Sequence, residues 1–146
     1  MRVVIQRVKE AQVRVDGQVV GQMARGLLVF LGVAREDTQA SADYLVKKVS
    51  EIRIFEDAEG KMNVSAKEAG AQFLVVSQFT LYGNCDKGRR PSFDRAADPV
   101  LGEDLYNYFV QALQSTGGQV QTGRFRAMMD VSLINDGPVT LIIDSP

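Results

Sequence analysis

The chain has 146 residues, 45% of them hydrophobic and 24% charged, with a formal net charge of −1. That balance suits one domain spanning residues 1–146 around a single core, and it offers no global basic field for a polyanion. With no histidine and a single cysteine, Cys85, the composition excludes Ser-His-Asp and Cys-His triads, histidine-based metal sites and any disulfide within the chain.

The opening MRVVIQRV mixes charged with β-branched residues and is no secretory signal; no apolar run approaches the roughly 20 residues that cross a bilayer. A cytoplasmic chain is expected. Val13 and Val15 alternate with polar residues up to Asp16-Gly17, and Val19 follows, which predicts a β-hairpin with a two-residue turn. Gly26 then leads into LLVFLGV, a continuous apolar run suited to a strand buried on both faces. Asp37 or Thr38 is placed to cap a helix running to about Ser50, with Ala42, Leu45, Val46 and Val49 on its apolar face. Arg53-Ile54-Phe55 begins a short strand, EDAEG makes a turn ending in Gly60, and Phe73–Val76 is a further apolar strand that runs into SQFTLYG.

A polar, arginine-rich loop over residues 84–97 separates that strand from Asp98-Pro99, an acidic cap followed by proline where its missing N–H costs nothing. Leu101, Leu105, Tyr108, Phe109 and Ala112 are expected to form the apolar face of the helix that follows, with Gly117-Gly118 ending it. Two last strands are expected around Val131–Asn135 and Val139–Ile143, on either side of Asp136-Gly137-Pro138. The class is α+β, with strands in the majority and two main helices packed against the sheets.

Two segments hold groups suited to chemistry. Ser77-Gln78-Phe79-Thr80 ends a buried strand, where backbone N–H groups leave the ladder and can face a substrate oxygen; Ser77 and Thr80 add hydroxyls. With no histidine, nothing nearby deprotonates a hydroxyl efficiently, so an ordinary strand end remains open as a reading. Asn135–Thr140 has the composition of a hairpin turn, but it contains an X-Pro bond, the one type for which the cis isomer is cheap, at roughly 0.5–1 kcal/mol. The carboxylates Glu51, Glu56, Asp57, Glu59 and Asp86 show no spacing for a metal loop or an acid-base pair, and no glycine-rich phosphate loop is present. Lys87, Arg89, Arg90 and Arg95 form one basic cluster and Arg124 with Arg126 another. On charge alone, a solvated loop accounts for them better than phosphate binding does.

The segments IQRV, RIFEDAEGKMN, LVVSQFTLYG, KGRRPSF, LYNYFV, QTGRF and VSLINDGPVT together resemble the D-aminoacyl-tRNA deacylase family over essentially the whole chain. SQFT and NDGPVT, about 58 residues apart and in that order, are highly specific to that family. The resemblance implies a bent, barrel-like fold of two antiparallel or mixed sheets with helices on one side. It implies a cofactor-free, metal-free homodimer that hydrolyses the ester of D-aminoacyl-tRNA at the tRNA 3′ end, in which Gly137-Pro138, cis in the family, enters the partner's active site. Ser77, Gln78, Phe79 and Thr80 would form the other wall, and Arg7 would orient the Gly-Pro loop.

On this reading L-substrates are rejected by the Gly137-Pro138 backbone, D-side chains are tolerated, and glycyl-tRNA, including glycine mischarged on alanine tRNA, is also cut. Thr80 is either a nucleophile or a positioning group; lacking a general base, positioning is favoured, with the substrate's ribose 2′-hydroxyl activating water and N–H groups around Gln78, Phe79 and Thr80 steadying the oxyanion. Arg126 and Met128 stand where the family commonly has a small and an acidic residue, which bears on tRNA preference. The rival readings are an editing relative with relaxed chirality and a non-catalytic tRNA-binding module.

Overall fold

The computed structural model describes residues 1–146 and is α+β: a six-stranded mixed sheet, a two-stranded ribbon and two helices. In chain order the elements are β1 (Arg2–Val15), β2 (Gln18–Met23), β3 (Gly26–Gly32), α1 (Gln39–Glu51), β4 (Arg53–Glu56) and β5 (Met62–Ser65). They are followed by β6 (Gln72–Ser77), a 3-10 turn (Phe79–Tyr82), α2 (Pro99–Ser115), β7 (Gln119–Thr122) and β8 (Asp130–Asp144). The main sheet has the order β2-β1-β3-β6-β7, with β8 on the free side of β1, and β4-β5 form the ribbon.

The predicted hairpin is present: φ is 50° at Asp16 and 77° at Gly17, the left-handed pair that a two-residue turn between twisted strands requires. β3 and β6 are buried on both faces, as LLVFLGV suggested. Leu27, Val29 and Leu31 join Phe73 and Val75 under the helices, while Leu28, Leu74 and Val76 pack on the opposite face with Val8, Ala11 and Val13 of β1. β1 reaches both cores because two register shifts, around Val8, switch which of its residues point inward. Val3 and Ile5 face the helices, whereas Ala11 and Val13, also odd-numbered, face the second core. The far half of β1 thereby carries β2 over towards β7. They approach so closely that a Cβ on Gly21 would overlap the Thr122 carbonyl oxygen, so the sheet comes near to closing.

Both helices lie on one side of the sheet in the larger core. Thr38, not Asp37, caps α1, its N–H donating to Ser41 Oγ at 3.3 Å. Asp37 is engaged elsewhere, accepting the Met1 ammonium and the Ala34 N–H. Asp98 caps α2 by accepting from the N–H groups of Val100 and Leu101 at 2.9 and 3.1 Å. The apolar face of α2 is wider than expected: Leu105 and Phe109 are buried and Leu101, Tyr108 and Ala112 pack half-buried against the core, but Tyr106, Val110 and Leu113 are buried as well. Tyr106 can enter the core because its hydroxyl donates to the Val75 carbonyl at 2.9 Å, while the Tyr108 hydroxyl reaches across to Asp43 of α1 at 2.8 Å.

The end of the chain needs a larger correction. The two strands expected around Asp136-Gly137-Pro138 are one strand, β8, and both halves pair with β1 on the same side: Asn135 lies opposite Val8 and Thr140 opposite Gln6. The residues between them bulge out opposite Arg7 alone, so the segment is an interruption within a ladder and not a hairpin turn. β5 and β7 had no signal in the sequence, since β7 reads Gln-Val-Gln-Thr and takes its place from β6, to which it runs parallel.

Because β3, β6 and β7 are mutually parallel, their C-terminal ends meet at one end of the sheet. The antiparallel β1 places Arg2 opposite Gly32 at that end and Arg7 opposite Leu27 at the other.

Candidate active site

Ser77 ends β6 at the shared C-terminal end of the parallel strands. The N–H of Gln78 still donates to the Leu31 carbonyl at 2.8 Å, which ties the exit of the strand to β3. The chain then turns sharply, with Leu81 N–H donating to Gln78 O at 3.2 Å and Gly83 N–H to Thr80 O at 2.9 Å. Phe79 and Thr80 open this 3-10 turn, where the leading N–H groups of a helix have no partner within it. Gly32 of β3 allows the turn to sit so close, because a Cβ there would meet Leu81 Cβ at 3.1 Å and Gln78 O at 3.2 Å.

Thr80 is exposed, and its hydroxyl oxygen accepts a hydrogen bond from the Gln78 side-chain amide. No carboxylate, amine or imidazole hydrogen-bonds to it. A hydroxyl that accepts from an amide and has no base to take its proton is a weak nucleophile. Phe79 is 58% exposed and meets Phe93 edge-on with ring centroids 5.1 Å apart, a neighbour that no local pattern announces. Behind the turn lies a small cavity of about 160 Å³ lined by Arg2, Tyr82, Asn84, Asp86 and Arg95 among others. Burial, with Asp37 and Asp144 nearby, pushes the Tyr82 phenol up to about 12. Burial does the same for Tyr106, also to about 12. Neither phenol is poised as a base at neutral pH.

Asp136-Gly137-Pro138-Val139 bulges from β8 opposite Arg7, midway along β1. The Gly137-Pro138 peptide is cis, as the resemblance implied, and Gly137 has φ of 146°. Asn135 spans the bulge, its side chain accepting from Val139 N–H at 2.8 Å and donating to the Val139 carbonyl at 3.1 Å. Arg7 holds it from beneath. Only 4% exposed, Arg7 donates through Nε to the Asp136 carbonyl at 3.0 Å and through Nη1 to the Ile54 carbonyl at 2.5 Å. Its charge is balanced by the Asp136 and Glu56 carboxylates at 3.5 and 3.8 Å. Gly137 and Pro138 themselves stay exposed on top of this support.

Ser77, Gln78, Phe79 and Thr80 are brought together, and so are Arg7, Gly137 and Pro138, but the two groups are far apart within the chain. From the Arg7–Leu27–Phe73 row to Ser77 is four residues along β6, or about 13 Å, and β8 to β6 is three strand spacings, about 14 Å. A cavity of about 670 Å³ between β1, β2 and β8 is lined by neither group. Arg126, at φ 60°, and Met128, 91% exposed, lie in the loop that follows β7, at the Ser77 end of the sheet. No three acidic or cysteine side chains cluster as metal ligands.

A sequence model of the family described as D-Tyr-tRNA(Tyr) deacylase matches residues 4–144. The chain is similar to the D-aminoacyl-tRNA deacylase of Desulfatibacillum aliphaticivorans, 59% identical over 99% of both chains. It is also similar to that of Symbiobacterium thermophilum, 58% identical over 99% of this chain and 96% of the relative. Among solved structures, one described as a c-Myc DNA Unwinding Element Binding Protein superposes over all of this chain and 99% of its own, with TM-score 0.95 and 39% identity. A probable eukaryotic D-amino acid tRNA deacylase shares the fold at TM-score 0.85 and 21% identity, over 98% of each chain. With the fold, the SQFT turn and the Arg7-supported Gly-Pro bulge in place, the chain belongs to the D-Tyr-tRNA(Tyr) deacylase family.

Proposed function

We propose that this protein hydrolyses the ester of D-aminoacyl-tRNA in the cytoplasm, releasing the D-amino acid and free tRNA, and that its active site is completed by a second copy of the chain. The observation that carries the second part is the separation of the two motifs. A Gly137-Pro138 selector has nothing to select beside the middle of β1, three strands across and four residues along from the end of β6, unless it enters another protomer's site. The long free edge of β8, which presents Ile134 and Ile142 to solvent, gives such a pairing an apolar surface.

In this arrangement the scissile carbonyl lies against the N–H groups of Phe79 and Thr80, which stabilise the tetrahedral oxyanion. Thr80 and Gln78 position the ester, and the ribose 2′-hydroxyl of the terminal nucleotide activates the attacking water, a role no side chain of this histidine-free turn can fill. The partner's Gly-Pro backbone crowds the space an L-side chain needs and leaves a D-side chain free. Glycyl-tRNA, including glycine on alanine tRNA, has no side chain to exclude and is cut as well.

The test is turnover of D-tyrosyl-tRNA supplied in large excess over protein. Many D-tyrosine molecules released per protomer support the reading; salt-sensitive tRNA binding without turnover would replace it with a non-catalytic tRNA-binding module.

A further inference from the structure

The two basic clusters are remote in sequence, yet the parallel strands deliver them to the same end of the sheet. The loop over 84–97 leaves the SQFT turn, closes through an Asn84–Ser92 bridge with Gly88 at φ 73°, and returns alongside β3, where Ala97 N–H donates to Val33 O at 2.9 Å. The loop over 123–129 leaves β7 on the other side of β6, tied in by Gly123 N–H donating to Val75 O at 3.1 Å. The SQFT turn therefore lies between them.

These two loops hold six cations, Lys87, Arg89, Arg90, Arg95, Arg124 and Arg126, and two carboxylates, Asp86 and Asp94, in a chain whose net charge is −1. None of the six is in an ion pair; the only paired basic side chains of the protein are Arg2, Arg7 and Lys61. Asp94 is turned back onto Ser92, whose hydroxyl donates to it at 2.6 Å. The Arg95 guanidinium rests over the Tyr82 ring, 5.7 Å from its centroid, and the residue stays exposed. Arg126 holds a left-handed backbone with its side chain exposed. Six exposed, unpaired cations on both sides of one turn suit a row of phosphates better than they suit each other.

We infer that these loops form a divided basic ridge that grips the phosphates of the tRNA acceptor arm on both sides of the SQFT turn, so that the arm is aligned before its 3′ end enters the site. The inference rests on the proposed deacylase reading, and its test separates the two. Three measurements are made on wild type, on Lys87→Ala/Arg89→Ala/Arg90→Ala and on Arg124→Gln/Arg126→Asn, asparagine being chosen because it tolerates the left-handed backbone. They are kcat and KM for D-tyrosyl-tRNA, the same for 3′-O-D-tyrosyl-adenosine, which has no phosphate, and binding of uncharged tRNA as salt is varied.

With the ridge in place, each variant raises KM for D-tyrosyl-tRNA by on the order of 10-fold or more, with kcat little changed. The slope of log K against log salt for uncharged tRNA becomes shallower by about 2–3 for the first variant and about 1–2 for the second. Hydrolysis of D-tyrosyl-adenosine stays within twofold. An unchanged KM and salt slope in both variants, or equal losses on both esters, would overturn the ridge. If wild type cleaves neither ester, the deacylase reading fails, and the salt slopes with uncharged tRNA still decide for or against the ridge.

Discussion

Arg7 donates to the main-chain carbonyl of Asp136 at 3.0 Å, across a ladder in which the single residue Arg7 faces the whole bulge between Asn135 and Thr140. A buried cation beneath a stretch of exposed backbone fixes where that backbone stands. Replacing Arg7 by methionine keeps much of the apolar stem but leaves the Ile54 and Asp136 carbonyls without their donor. At about 1–3 kcal/mol for the buried Ile54 carbonyl left unpaired, and about 1 kcal/mol for the partly buried Asp136 carbonyl, the expected loss is roughly 2–4 kcal/mol in chemical denaturation, with D-tyrosyl-tRNA hydrolysis down by at least tenfold under conditions where the variant is folded.

Gly137 is constrained twice. Its φ of 146° disfavours any L-side chain, and an added Cβ would lie 2.7 Å from both Val139 Cγ2 and Val139 N. Gly137→Ala should therefore displace the bulge, reducing kcat/KM for D-tyrosyl-tRNA by on the order of 10- to 100-fold, the equivalent of about 1–3 kcal/mol of strain, and narrowing the D-over-L preference. Wild-type rates and selectivity in this variant would remove the backbone from the selection mechanism.

Thr80→Ala is predicted to keep activity within about tenfold of wild type, because the backbone N–H groups survive the change and the hydroxyl has no base to activate it. Mass spectrometry of a quenched reaction should show no acyl-threonine. A trapped adduct, or a loss of about 10⁴-fold, would make Thr80 the nucleophile.

Hydrogen bonding and charge from Arg2 hold the Asp144 carboxylate below its ordinary value of 3.8, and Arg2 donates to it at 2.7 and 3.0 Å. A depressed carboxylate stabilises the fold above its unfolded value and loses that contribution as the pH falls through the folded one. Both partners are partly solvated, which keeps the effect to under about 1 kcal/mol. Asp144→Asn should melt slightly lower than wild type at pH 7 and converge with it in acid once the folded carboxylate is protonated, whereas a difference that persisted there would have another origin.

Metal removal should leave the reaction running. The proposed chemistry uses backbone N–H groups and the substrate's own hydroxyl, so prolonged chelation is expected to change kcat for D-tyrosyl-tRNA by less than about twofold. Activity restored only by added divalent ions would call for a different mechanism.

Much of this was legible in the sequence wherever a local rule governs. The Asp16-Gly17 turn, the doubly buried β3 and the Asp98-Pro99 cap each follow from residues that sit next to one another. What depended on partners distant in the chain was not legible. Tyr106 can be buried because a carbonyl in β6 accepts from its hydroxyl, and β7 exists because β6 offers a ladder to an otherwise polar segment. The Gly137-Pro138 segment has the composition of a hairpin turn. Only its pairing with β1 on both sides reveals a bulge, and only that register shows how far it lies from Ser77. Family resemblance supplied the roles of Arg7 and Phe79, but nothing in the sequence pointed to Asn135 as the brace or to Phe93 as the neighbour of Phe79.

The central claim is chiral hydrolysis, and one comparison tests it most directly: release of tyrosine from D-tyrosyl-tRNA and from L-tyrosyl-tRNA at the same low protein concentration. The account predicts repeated turnover of the D-ester, with the L-ester decaying no faster than it does without protein. Equal cleavage of both would contradict it and would make the protein an editing enzyme without a chiral filter.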